Sequence, residues 1–141
     1  MKPLTLLAAA FALLVAAASS SARAEDKDYA LTVSAQPLTV GAPGAIVVKL
    51  DVKGGYKWNA DYPAKIEITG APAPLTLPKA TLSQLAGDFK AETPTALVVQ
   101  IPATAKAALD APVTVSTKFS VCNDRVCLMK KASAVVQITA R

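Results

Sequence analysis

Glycine and proline punctuation restricts the fold of this chain more than any other feature. Gly41-Ala42-Pro43-Gly44, Gly54-Gly55, Gly70-Ala71-Pro72-Ala73-Pro74 and Pro78 cut it into short segments. Glycine opens backbone conformations that other residues avoid, and proline fixes φ and removes a donor. This density therefore marks turns and disfavours long helices. The segments between the breaks alternate. Ala45 to Val52 sets Ile46, Val48, Leu50 and Val52 on one face, Lys65 to Thr69 sets Ile66 and Ile68 together, and Val113 to Cys122 alternates throughout. Ala96 to Ile101 is a short apolar run, and Ala134 to Thr139 adds a last segment. Such period-two and short apolar runs read as half-buried and buried strands. Thr104 to Leu109 is the best helix candidate and reads equally well as a turn before Pro112. About seven to nine short strands predict an all-β chain folded as an antiparallel β-sandwich, with a small barrel as the alternative.

Residues 1–24 follow a different plan. Lys2 gives a positive start, Leu4 to Ala18 is almost wholly apolar, and Ala22-Arg23-Ala24 is a small-x-small site before the charged run Glu25-Asp26-Lys27-Asp28. This is the layout of a cleaved secretory signal peptide, and the apolar run is short for a membrane span. Removing 24 of the 141 residues leaves 117, read as one domain over 25–141 with no internal repeat or linker. Lys2 and Arg23 leave with the leader, so 13 basic residues face 10 acidic ones, a net charge of +3 rather than +5. The short alanine-rich leader fits export to a bacterial periplasm, and release from the cell is the other destination it allows. No membrane span is expected in the mature chain.

Composition then narrows the chemistry. The chain has no histidine and two cysteines. That removes histidine-dependent catalysis, the usual nitrogen-ligated metal sites and any four-cysteine zinc or iron–sulfur site. The basic residues are scattered and aromatics are few, so nucleic-acid binding is not expected. An even cysteine count in an exported chain points to a disulfide.

Those cysteines lie in Phe119-Ser120-Val121-Cys122-Asn123-Asp124-Arg125-Val126-Cys127-Leu128-Met129. Alternation puts Val113, Val115, Phe119 and Val121 on the core face, and Cys122 on the other face with Ser116, Lys118 and Ser120. Asn and Asp tolerate positive φ, so Asn-Asp-Arg favours a turn. A two-residue turn with Asp124 and Arg125 at its tip pairs Asn123 with Val126. It sets Cys122 directly opposite Cys127, with Cα atoms about 4.5 Å apart. A bond there closes a ring of about six residues, a weak restraint on the unfolded chain, and an exposed bond is the readily reduced kind. Arg125 favours a thiolate by its charge and Asp124 opposes it. Three readings stay open on spacing alone: a local structural disulfide, a redox-active pair, or a soft donor set with Met129 for Cu(I).

The stretch from Cys122 to Leu128 resembles the redox hairpin of the N-terminal periplasmic domain of the DsbD thiol:disulfide interchange family, in which two cysteines flank a short polar turn. Gly55-Tyr56-Lys57-Trp58-Asn59, followed by Pro63, is similar to that family's glycine-tyrosine-x-x-asparagine stretch. Gly87-Asp88-Phe89 falls where the family carries a cap loop whose phenylalanine covers the cysteines. Together these span roughly residues 30–140. Met129-Lys130-Lys131 departs from the prolines that often follow the second cysteine in the family.

The resemblance implies an immunoglobulin-like sandwich passing electrons by disulfide exchange, with no cofactor or metal. Cys122 and Cys127 are the implied catalytic residues, and the sequence does not rank them as attacking thiol. Phe89 is the implied cap, and Tyr56, Asp124 and Arg125 line the site, with Trp58 and Tyr62 as further aromatics at the same end. The implied partners are periplasmic thioredoxin-like or disulfide-exchange proteins, and the electron donor is another chain. The rival expectation is a non-catalytic interaction module with a purely structural disulfide.

Overall fold

Residues 18–141 are the part of the chain described in a computed structural model, and they form ten strands joined by turns and loops, with no helix among them. In chain order they are β1 (Ser20–Glu25), β2 (Tyr29–Ala35), β3 (Gly44–Val52), β4 (Lys57–Trp58), β5 (Lys65–Thr69), β6 (Leu75–Thr76), β7 (Thr81–Ser83), β8 (Ala96–Ala105), β9 (Leu109–Cys122) and β10 (Cys127–Ala140). One sheet runs β1-β2-β3-β8-β6 and the other β10-β9-β5-β7, with β4 also paired to β9. Every pairing between strands is antiparallel. The expected two-sheet sandwich is therefore what forms, and the barrel is not.

Alternation explains how the sheets meet. Leu31, Val33, Ile46, Val48 and Leu50 project from one sheet, and Ile66, Val113, Val115, Phe119 and Ile138 from the other; all are essentially fully buried. Burying such a side chain contributes about 1.5–3 kcal/mol, so the interface between the two sheets is the main source of stability.

Thr104 to Leu109 is not a helix. β8 continues through Ala103 and Ala105, both buried, and Leu75 and Thr76 pair with Ala105 and Thr104. Burial and pairing outweigh alanine's helix preference here, which is only a weak prior. β8 also runs through Pro102, and β9 through Pro112. Asn123 and Val126 form a hydrogen-bonded pair, so Pro112, an odd number of residues away, is in a non-bonded pair with Gln137. Its missing N–H thus faces away from β10, in a stretch of β9 before the first β5 pairing at Thr114.

Residues 1–17, most of the expected leader, lie outside the described residues. Residues 20–24 of that expected leader form all of β1 except Glu25, paired from Ser20↔Ala35 to Glu25↔Ala30. Cleavage after Ala24 would make β2 the edge of its sheet.

Candidate functional site

The β9–β10 ladder is continuous from Leu109↔Ala140 to Cys122↔Cys127 and ends in a disulfide with a Cα–Cα distance of 4.0 Å. The turn beyond it is held by Asn123 twice over. Its backbone N–H donates to the Val126 carbonyl at 2.9 Å, and its side-chain Oδ1 accepts from the N–H groups of Arg125 (2.9 Å) and Val126 (2.8 Å). The turn departs from the expectation of positive φ, since among the described residues only glycines adopt it. An Asx-type side-chain bond closes the turn, doing the work that left-handed backbone does in other two-residue hairpins.

Across the sheet, β4 supplies a neighbour that the sequence reading missed. Lys57 pairs with Cys122, so Lys57, Cys122 and Cys127 form one row over three strands. Directly paired residues share a face with Cβ atoms about 4.5–5.5 Å apart. Trp58 is buried, so its neighbour Lys57 points outward, as Cys122 does. Lys57 thus brings a positive charge to the row that holds both cysteines. The next row holds Asn59, Ser120 and Met129. Asn59 donates from its backbone to the Ser120 carbonyl at 2.9 Å and from Nδ2 to the Ser120 hydroxyl at 3.4 Å, which leaves Ser120 buried on an otherwise solvent-facing surface. Cys127 is exposed, Cys122 half-buried, and Met129 78% exposed.

The inner face beneath the hairpin is aromatic. Phe119 stacks on Trp58 at 5.6 Å and meets the edge of Tyr29 at 5.2 Å, so Trp58 serves as core. Its indole N–H donates to Gln84 Oε1 at 2.7 Å. Gln84 Nε2 in turn donates to the carbonyls of Ala60 and Tyr62, tying the segment after β7 to the turn after β4. Phe89 is buried in that segment and lines a cleft with Ala60, Gln84 and Asp88 whose walls include neither cysteine. Asp88 braces the segment through Lys79 and the Ser83 N–H, and the Lys79 ammonium and that N–H hold its carboxyl below the ordinary range. Tyr56 and Tyr62 are half-buried against the core, and Asp124 and Arg125 are exposed at the tip.

A second polar assembly sits on the core side of β10. Lys130 points inward and donates to Asp28 Oδ2 at 2.7 Å and Asp26 Oδ2 at 3.2 Å, fastening the β1–β2 turn to the hairpin strand. Asp28 raises the Lys130 pKa. Burial works to raise Asp26, but N–H donation from Asp28, reinforced by Lys130, outweighs it and leaves Asp26 below its ordinary value.

These residues provide a disulfide at an exposed tip, Lys57 beside Cys122 and a turn with hydrogen bonds of its own. Among the described residues no group of three or more His, Cys, Asp or Glu side chains is arranged to hold a metal, and both thiols are consumed in the disulfide. No helix there is long and apolar enough to cross a membrane. No protein-family model and no curated protein matches the chain.

Proposed function

We propose that this protein is a thiol–disulfide exchange domain of the DsbD N-terminal type, exported to the periplasm, with Cys122 and Cys127 as its reactive pair. The observation that carries the reading is the position of the disulfide. It caps a hairpin already closed by Asn123, on the solvent face, with Cys127 exposed. A bond that staples a fold joins distant segments; this one joins neighbours, which leaves reactivity as the reason for the pair.

In the reduced form the Cys127 thiolate attacks one sulfur of a partner's disulfide. A mixed disulfide forms and the partner's other sulfur leaves as a thiolate. The Cys122 thiolate, beside Lys57, then attacks Cys127 Sγ in the mixed disulfide. This restores the Cys122–Cys127 bond and releases the partner as a dithiol carrying two electrons. A dithiol protein from another chain reverses these steps to recharge the domain. In this reading Phe89 is the cap, and Tyr56, Asp124 and Arg125 line the site.

Equilibration with glutathione redox buffers measures the potential. A value above about −300 mV supports exchange, and one below it marks a structural bond and returns the protein to the rival reading, a non-catalytic interaction module. Cys122→Ser offers a second check, since it removes the resolving sulfur and should accumulate a Cys127 mixed disulfide with a cystine peptide.

A further inference from the structure

The outer face of the second sheet carries an uneven distribution of charge. Lys65 and Lys131 pair with Lys118 from its two sides, so three lysines from β5, β9 and β10 lie side by side. All three are exposed, and Lys57 sits on the same face beside Cys122. Among the described residues these four lysines have no carboxylate within 4 Å, as is also true of Lys27, Lys90, Lys106, Arg125 and Arg141. What sets the four apart is that they share one face and three of them are paired side by side. The one carboxylate in the adjoining row, Glu67 opposite Ser116, makes no ion pair.

The fold does not require this row. Like charges directly opposite one another on a sheet destabilise it. Lysine is often placed on edge strands to block strand addition, which accounts for Lys131 on β10. It does not account for Lys118, which lies on an interior strand between two others. Lys118 and Lys131 are each four residues along their strands from Cys122 and Cys127, about 13 Å, and exposed Met129 lies between them and the disulfide.

We propose that this face docks an acidic protein surface surrounding the partner's own reactive disulfide, with the lysine row holding the partner while Cys127 reaches its sulfur. The identity of the partner as a disulfide protein rests on the exchange reading; the preference for acidic protein rests on the lysines. A protein is favoured over nucleic acid because the rows from Lys57 to Glu67 contain no aromatic side chain for bases to stack on. It is favoured over a lipid surface because the face offers only two separated large exposed apolar side chains, Met129 and Val135, to insert.

The test uses three cystine peptides of one length, with the disulfide flanked by glutamates, serines or lysines. Each is mixed with the reduced protein at low salt. The expected order of rates is acidic, neutral, basic, with about tenfold between the extremes, collapsing at about 0.5 M salt. Replacing Lys65, Lys118 and Lys131 together by Ser should equalise the peptides while leaving the neutral rate in place, and circular dichroism reports whether that variant folds. Lys118→Glu alone is the second variant, which should lower the acidic rate. Equal rates for the three peptides on the unaltered protein overturn docking and leave exchange standing. If no peptide is reduced, the exchange reading fails. Binding of a cysteine-free glutamate peptide, followed by anisotropy, then decides the docking surface alone: binding that is lost in the triple variant upholds it, and no binding overturns it. Tighter binding to vesicles of equal phosphatidylglycerol and phosphatidylcholine, or to single-stranded DNA, than to the glutamate peptide overturns the assignment to a protein partner.

Discussion

Replacing both cysteines by serine should leave the protein folded, and the size of the loss can be worked out in advance. The bond has a sequence separation of 5, so it closes a ring of six residues, 122 to 127. The chain-entropy relation gives a restriction of about 7.4 cal/mol/K for that ring, or about 2.2 kcal/mol at 25 °C, against about 4.7 for a ring of 100 residues. Losing the bond does not open the hairpin, because Asn123 bonds both to the Val126 carbonyl and to the Arg125 and Val126 N–H groups. The ladder behind it runs on to Leu109↔Ala140. About 2 kcal/mol is therefore the ceiling, a fall in Tm of under about 10 °C for a domain of this size. Urea unfolding of the oxidised, reduced and doubly substituted forms measures it. Trp58 is the sole tryptophan and is buried against Phe119, so its fluorescence follows the core directly. A loss above about 4 kcal/mol, or a transition that ceases to be cooperative, would show the bond to be a staple. It would also remove the main support for exchange.

Phe119→Ala should cost about 3–5 kcal/mol in the same assay, well above the disulfide, because it empties the fully buried space between Trp58 and Tyr29; a cost below about 1.5 kcal/mol contradicts that packing. Lys118→Glu should raise stability by about 0.5–1 kcal/mol, since it turns two repulsive cross-strand pairs into attractive ones; unchanged or lower stability means the lysines do not feel one another. Asp26 has a lowered pKa, so its contribution is present above the ordinary carboxylate pKa of about 3.9 and is lost as pH falls through the lower folded value. Lys130 has a raised pKa, and its contribution is present below about 10.4 and lost as pH rises through the higher folded value. The amide proton shifts of Asp28 and Tyr29, whose N–H groups donate to Asp26 Oδ1, should titrate with a midpoint below about 3.9, and a midpoint at or above that value refutes the clamp.

Much of the strand content was legible because alternation is local. Ile46, Val48 and Leu50, and Val113, Val115, Phe119 and Val121, share buried faces as their spacing requires. β2 carries an equally clear pattern in Tyr29, Leu31, Val33 and Ala35, and was missed although the signal was present. The two-residue strands β4 and β6 are too short to show a period, and exist because β9 and β8 offer them free edges. Thr104 to Leu109 misled because alanine's local preference says nothing about the β6 partner that overrides it.

The same division runs through the site. The facing of Cys122 and Cys127, and their place on the side away from the core, follow from a three-letter turn and a period of two. Both are properties of a dozen contiguous residues, and the sequence by itself determined them. The lysine beside Cys122 and the row Lys65-Lys118-Lys131 come from strands far apart in the chain. Their alignment depends on the register between strands, which buried faces and turns set jointly across the whole sheet. Only the tertiary structure decided that, because no local pattern records which residue of a distant strand will lie opposite.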